Sequence, residues 1–250
     1  MLKFSKANAK LIKLEKLTGK KVYSLGLISG FSCPQASECL TKVYERPNGT
    51  RYLKDGPLAK FRCYSAAQEA VFSRLYKSVK DNYDQLKAIK TIPELIDIIE
   101  SSLPVKAEII RIHSSGDFYN DDYFQAWVHV ARNYPDKWFY AYTKSLPYWI
   151  RHKRLVENTP NLMLTASVGG RKDFLIDQYN LRYCKVLYSE YRARKEGLPI
   201  DKNDKYACLP ENRDINFSLI LHGVAMPKNS ESSLALVRLK KHGKFQYSRG

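Results

Sequence analysis

Short apolar, β-rich runs alternate with amphipathic stretches along most of this chain, and that alternation limits its fold more than any other feature. "KVYSLGLIS" (21–29) reads as a strand. "SAAQEAVFSRLYKSVKDNYDQLKAI" places Ala67, Ala70, Val71, Leu75 and Val79 on one helical face. "TIPELIDIIESS" is a second helix, with Thr91 and Glu94 spaced as in a capping box. "AEIIRIHSSGDF" (107–118) is a buried strand running into a Ser-Ser-Gly-Asp loop. "DDYFQAWVHVARNYP" is a helix that turns Phe124, Trp127, Val128 and Ala131 inward. "KWFYAYTKS", "NLMLTASVGG", "RYCKVLYSE" and "NFSLILHG" (216–223) add strands, with the helix "LPYWIRHKRLVEN" after the first. Strands separated by helices predict a parallel α/β sheet.

Such sheets carry function in the loops that follow the carboxyl ends of their strands. Here those loops are "GFSCPQASEC", "HSSGDFYND", "YTKSLPYW" and "SVGGRKD". Between 40 and 62, Pro47, Asn48-Gly49 and Gly56-Pro57 mark an irregular excursion, a small hairpin turning at Asn48-Gly49. No repeat or low-complexity linker divides the chain. The reading is one α/β domain over 1–250, with that cysteine-flanked insertion and a basic C-terminal segment.

Cys33, Cys39, Cys63, Cys184 and Cys208 are the five cysteines, an odd number that argues against a disulfide framework. Three readings compete: an iron–sulfur cluster, a zinc site, and unrelated thiols. The spacing is Cys33-x5-Cys39-x23-Cys63, whereas zinc sites favour pairs two to four residues apart. A cluster is larger than one ion and accepts wider separation, so the spacing favours iron–sulfur. Cys63 stands where a helix is expected to start, and there the backbone favours a thiolate. Cys208, in the polar "KYACLPENRD", is the candidate fourth ligand; Cys184, inside a strand, is a core residue.

The other polar constellations admit two readings each. Asp117 follows a glycine at a strand end and is a candidate site residue, whereas Asp121 and Asp122 read as helix caps. His113 suits a core position or a catalytic one, including a Cys–His hydrolase with Cys33 or Cys63. Gly169-Gly170 with Arg171 and Lys172 is either a plain turn or a phosphate cradle. Lys144 among Tyr142, Tyr148 and Trp149 could hold single-stranded nucleic acid or snorkel from a core edge.

The formal net charge is +17, from 42 Lys+Arg against 25 Asp+Glu. That excess favours polyanions, nucleic acid first and acidic membrane surfaces second. Lys144, Arg171 and Lys172 are the candidate contacts. No run approaches the roughly 18 apolar residues of a spanning helix, and the basic N-terminus lacks a signal-peptide pattern, so a cytoplasmic protein without a membrane partner is expected. There is no nucleotide-binding Gly-x4-Gly-Lys loop, nucleophile elbow, zinc finger, helix-turn-helix or RNA-recognition signature.

A strand, a cysteine-bearing loop, a helix, and a strand ending in a Gly-acid loop together resemble the radical S-adenosylmethionine fold. The resemblance implies a partial (β/α) barrel with parallel strands. It also implies a four-iron cluster on Cys33, Cys39 and Cys63, and S-adenosylmethionine near Gly116 and Asp117. The family's compact cysteine spacing is absent, because Cys39-x23-Cys63 contains a long insertion. The Cys-Pro loop, "FRCYSAAQ", "RIHSSGDFYNDDYFQAW", "FYAYTKS" and "LMLTASVGG" are also similar to an uncharacterised phage and mobile-element family, named for a mycobacteriophage gene product, number 88. The expectation is an iron–sulfur protein of phage or mobile-element origin that binds or acts on nucleic acid. If Cys208 ligates, the cluster is closed; if not, one iron is open and a radical enzyme is the alternative. A zinc-stabilised nucleic-acid-binding protein is the other.

Overall fold

A computed structural model describes residues 1–6, 9–223, 226–227 and 229–241. The chain runs β1 (Phe4–Ser5), α1 (Ala9–Thr18), β2 (Val22–Leu25), β3 (Thr41–Glu45), β4 (Arg51–Asp55), α2 (Tyr64–Val71), α3 (Ser73–Ala88) and α4 (Ile92–Ser102). It continues through β5 (Ile109–Arg111), α5 (Asp121–Asn133), β6 (Trp138–Thr143), α6 (Leu146–Arg151), α7 (Lys153–Glu157) and β7 (Leu162–Ser167). The last elements are α8 (Phe174–Gln178), β8 (Tyr183–Leu187), α9 (Glu190–Lys195), α10 (Lys205–Cys208), β9 (Phe217–Ile220) and α11 (Glu231–Lys241).

Seven strands form one sheet in the order β1-β2-β5-β6-β7-β8-β9. β1 runs antiparallel to β2, and every other pair in that sheet is parallel. β3 and β4 form a separate antiparallel ribbon. The expected parallel α/β architecture is therefore present, and the sheet does not close into a barrel, with β1 and β9 left at opposite edges. The reason lies on its inner face. A barrel interior is filled by its own strands. Here Leu11 and Leu14 of α1, with Ala207 and Cys208 of α10, cover Val22, Ile109, Tyr140, Met163, Cys184 and Phe217. Helices α3 to α8 cover the opposite face, where Trp127, Phe124, Phe139 and Leu146 belong to the largest apolar cluster. With a helical layer on both sides, closure would bury nothing further.

Local differences have local causes. The long helix expected from Ser65 onward breaks at Phe72, whose φ of −99° and ψ of 102° are extended. Asn120, rather than Asp121 or Asp122, caps α5, its Oδ1 accepting from Tyr123 N at 2.9 Å. Asp121 instead meets His152 Nε2 through Oδ2 at 3.0 Å and forms an ion pair with Arg151. Thr91 bonds Glu94 side chain to side chain at 2.6 Å, without a hydroxyl bond to the helix backbone. The basic N-terminal stretch is partly α1, because Leu11 and Leu14 recur at helical spacing and reach the core. No described helix is long and apolar enough to cross a membrane.

The inner face is also tied by charge. Asp204 is fully buried and has a left-handed φ of 61°. Its carboxylate accepts from Lys10 at 3.0 Å, Arg111 at 2.8 Å, Tyr140 at 3.0 Å and Tyr142 at 3.1 Å. Burial opposes its charge, but the Lys10 and Arg111 cations hold its carboxyl well below the usual range. Asp204→Ala would strand those two cations in a low-dielectric setting. Chemical denaturation should then show a loss of about 3–5 kcal/mol, and a variant as stable as the parent would refute this network's structural role.

Candidate metal and cofactor site

Cys33, Cys39 and Cys63, spread over 31 residues of sequence, are neighbours in electrostatic terms in the fold. β2 ends at Leu25, and the chain then crosses the mouth of the sheet as the cysteine loop, 26–40. Ser114 N donates to Leu25 O at 2.8 Å, Leu27 N to Ser115 O at 2.9 Å, and Ser115 Oγ to Leu27 O at 2.9 Å. The loop after β5 thus holds the cysteine loop from below. Gly116 permits this contact. Its φ is +83°, and a Cβ there would stand 2.4 Å from Ser32 Oγ and 2.7 Å from Leu27 Cβ.

The insertion brings Cys63 back. Asn48-Gly49 turns the β3–β4 ribbon as expected, with Gly49 at φ +77° and Arg46 N bonded to Thr50 O. Gly56 N then donates to Leu40 O, and Lys60 N and Phe61 N donate to Glu38 O, at 2.7, 2.8 and 3.2 Å. Cys63 N donates to Thr41 Oγ1 at 3.2 Å. These bonds pin the two ends of the excursion together, so a wide gap in sequence becomes a short one in space. Cys63 occupies the N-cap position of α2, as its sequence context suggested.

Cys33, Cys39 and Cys63 are half-buried free thiols close enough to influence one another's ionisation. Burial first, then Asp117 and the other two sulfurs, pushes the Cys33 thiol well up. Burial and the neighbouring Cys39 push Cys63 up to about 12. Among the described residues, no three His, Cys, Asp or Glu side chains gather closely enough to hold one metal ion.

Cys208 requires a correction. It is fully buried on α10, packed with Leu11, Leu14, Tyr140 and Cys184 on the inner face of the sheet. Its charged neighbours are Asp204, Asp201, Arg182 and Glu211, not the other three thiols. A helix whose first residues follow a buried aspartate draws it into the core rather than into the loop. Cys184 lies mid-strand in that same cluster, as expected.

A cavity of about 450 Å³ lies beside two of these thiols. Cys39 and Cys63 line it, together with Glu69, Ser114, Arg111 and Tyr142. Glu69 of α2 carries no local signal in the sequence, because it sits inside an amphipathic helix. It is fully buried, and its carboxylate accepts from Ser29 Oγ at 2.6 Å and Ser29 N at 3.2 Å. Burial pushes it up to about 7 against those two bonds.

Gly116 and Asp117 have a different role from the one the Gly-acid motif suggested. Asp117 Oδ1 accepts from Phe118 N at 2.8 Å and Thr143 Oγ1 at 2.6 Å, and Oδ2 accepts from Lys144 N at 2.8 Å. Burial raises its pKa to about 6, opposed by these bonds. The carboxylate joins two loops instead of facing the cavity. Lys144 is 7% exposed, and its Nζ donates to Ser167 O, Ser167 Oγ and Val168 O at 2.8–2.9 Å. Its ammonium is therefore engaged within the fold and not presented to nucleic acid. The Gly169 and Gly170 amides donate to Asp173 at 2.7 and 2.8 Å, so the phosphate cradle already holds an internal carboxylate. Arg171 and Lys172 are exposed, with Arg171 also bonded to Ala36 O. His113 is a core histidine: burial lowers it to about 3, and its Nε2 faces Tyr123 Oη at 3.3 Å.

A family model described as Gene product 88 matches residues 2–238. The chain belongs to that family. The Gene 88 proteins of Mycobacterium phage D29 and Mycobacterium phage L5 are each 29% identical to it over 131 residues, 48% of this chain and 47% of theirs. This Gene product 88 family member thus spans about half the length of the curated relatives it matches. No solved structure matches.

Glu69 yields a pH test. Its folded pKa lies above its ordinary 4.5, at about 7. The folded chain disfavours the carboxylate, so stability is full in acid and is lost as pH rises through about 7. Urea titrations of metal-free protein at pH 5 and pH 8.5 should show that loss, on the order of 3 kcal/mol. Glu69→Gln keeps an acceptor for Ser29 and should remove it. Equal pH dependence in both proteins would rule Glu69 out as its source.

Proposed function

We propose that Cys33, Cys39 and Cys63 hold an iron–sulfur cluster through three thiolates, with one iron left for a small ligand in the adjoining cavity, and that the protein acts on nucleic acid. The observation that supports the cluster reading is that Cys33, Cys39 and Cys63 influence one another's ionisation, with Cys39 and Cys63 on the wall of a polar cavity and Cys208 in the core elsewhere. An iron without a protein ligand is what separates a reactive cluster from a closed one. Zinc is less well supported. A single ion needs sulfur donors at about 2.3 Å around one point, and no such gathering exists among the described residues. The separate irons of a cluster accept thiolates that stand further apart.

When bound, a cluster of this kind supplies an electron to a sulfonium cofactor of the S-adenosylmethionine type. The chain's own residues would bind and orient that ligand. Glu69, not Asp117, is the acid on the cavity wall, and it stands near Cys63 to accept from a ligand amine. Arg111 gives one N–H to His113 O and another to Asp204. A guanidinium has five donors, so others remain for a ligand carboxylate. Asp204 fixes the Arg111 plane, and Gly26 leaves room beside Ser114 and Ser115, where a Cβ would come within 2.9 Å of Ser115 Oγ.

Nucleic acid is supported by the +17 charge. The phage relatives are compatible with it but name no activity.

Anaerobic purification with iron, sulfide and visible-absorption analysis tests the cluster. Cys33→Ala, Cys39→Ala and Cys63→Ala should each lose iron, Cys208→Ala should keep it, and S-adenosylmethionine should shift the electron paramagnetic signal of the reduced protein. A colourless protein containing zinc would sink the proposal; loss of iron in Cys208→Ala would sink the open site. The raised thiol pKa values add a second readout. Loading must remove protons from Cys33 and Cys63, so cluster assembly should become more favourable as pH rises from 6 to 9. Assembly that is insensitive to pH would contradict the thiols as ligands.

A further inference from the structure

The β3–β4 ribbon has two unlike faces. Val43 and Leu53 turn inward and pack with Ala66, Ala70 and Tyr76. The other face carries Lys42 opposite Lys54 and Tyr44 opposite Tyr52. Tyr44 and Tyr52 stack at 5.6 Å with an interplanar angle of 22°, and Phe31 of the cysteine loop meets Tyr44 edge-on at 5.4 Å. Phe31 and Tyr52 are 36% and 40% exposed. Lys42 Nζ lies 4.8 Å from the Phe31 ring, and the Arg46 guanidinium 4.6 Å from the Tyr52 ring.

The charges on this face are unbalanced. The ribbon's acids are turned to other partners: Glu45 pairs with Arg51, and Asp55 with Arg62. Among the described residues, Lys42, Arg46 and Lys54 form no ion pair. Like charges directly opposite across a ribbon destabilise it, so an anion on this face would relieve the Lys42–Lys54 pair. Lys42 and Arg46 are held by ring contacts that weigh only about 0.5–1 kcal/mol at exposed sites. They can move to a phosphate and leave the ring to a base.

We infer that this face, formed by Phe31, Lys42, Tyr44, Arg46, Tyr52 and Lys54, is a platform for single-stranded nucleic acid. Bases would stack on the aromatic rings while the three cations follow the backbone. The inference rests on the nucleic-acid part of the proposed function and gives that partner a surface. The surface adjoins the thiols, because Phe31 and Cys33 share one loop. It also explains why the excursion is not a plain turn.

Fluorescence anisotropy with a labelled single-stranded oligonucleotide of mixed sequence tests it, using the full chain. Binding should weaken with salt. Lys42→Ala with Lys54→Ala should reduce the slope of log affinity against log salt by about 1.4. Tyr52→Leu, which keeps an apolar β residue there, should weaken binding about tenfold. Lys90→Ala with Lys106→Ala removes equal charge from elsewhere and should leave affinity within about twofold. Circular dichroism and melting confirm that each variant folds. If the parent binds and the ribbon variants match the Lys90/Lys106 control, this surface is wrong while the nucleic-acid reading stands. If the parent ignores the oligonucleotide at low salt, or binds anionic vesicles instead, both fail.

Discussion

Asp117 is the group on which the arrangement of the site depends. Its buried carboxylate joins the loop after β5 to the loop after β6 through Thr143 and Lys144. Lys144 then reaches the end of β7 through Ser167 and Val168. Gly169, just beyond, accepts from Ser37 N and Glu38 N of the cysteine loop at 3.3 and 2.9 Å. The cysteine loop returns to the β5 loop through Leu27 and Ser115. The bonds close a ring around the carboxyl ends of the strands. A buried carboxylate is costly unless its oxygens are bonded, and here three N–H or O–H donors meet it. The thiols are thus held by loops that brace one another, not by the sheet directly.

A second anchor works from beneath. Asp204 draws Lys10 of α1, Arg111 of β5 and two tyrosines of β6 to one point. Lys10, Arg111 and Tyr142 of that cluster line the same cavity as Cys39 and Cys63. The same inner-face layer that keeps the sheet open therefore also shapes the space a ligand would occupy. A closed barrel would place strand side chains there instead. α1 takes part in both the open sheet and the cavity, packing Leu11 and Leu14 on that face and giving Ala9 and Lys10 to the cavity wall.

What could be read from the sequence follows from the range of the forces involved. The alternation of β-rich and amphipathic runs is local, and the central parallel strands appear where it places them. The hairpin at Asn48-Gly49 is local as well. Asp117 was visible as a residue of consequence, because a carboxylate after a glycine at a strand end is unusual. Its partners, Thr143 and Lys144, lie far along the chain, and no local pattern assigns them. Lys144 looked like a surface cation among aromatics, yet carbonyls from β7 hold it inside. Cys208 looked exposed because its neighbours in sequence are polar. Its burial is decided by Asp204, whose role depends on Lys10 at the other end of the chain. Glu69 was hidden for the converse reason: on a helix an acid reads as solvent-facing until Ser29 is brought against it.

The wide Cys39–Cys63 gap is the point at which sequence and structure inform each other most. In sequence it is a departure from a compact ligand motif. In structure it is a ribbon whose ends are pinned by Glu38, Leu40 and Thr41, so the spacing costs the site little. Loop closure grows only slowly with length, by about 0.6 kcal/mol per doubling, and the ribbon's own pairing offsets much of that. Chain inserted between the two thiols is then free to acquire a surface of its own without moving them. Lys42 and Lys54 face each other where a purely structural ribbon would set opposite charges, and Tyr44 and Tyr52 present rings where polar side chains would suffice. The inner face of the insertion is accounted for by its packing on α2 and α3, whereas its cationic and aromatic outer face is not.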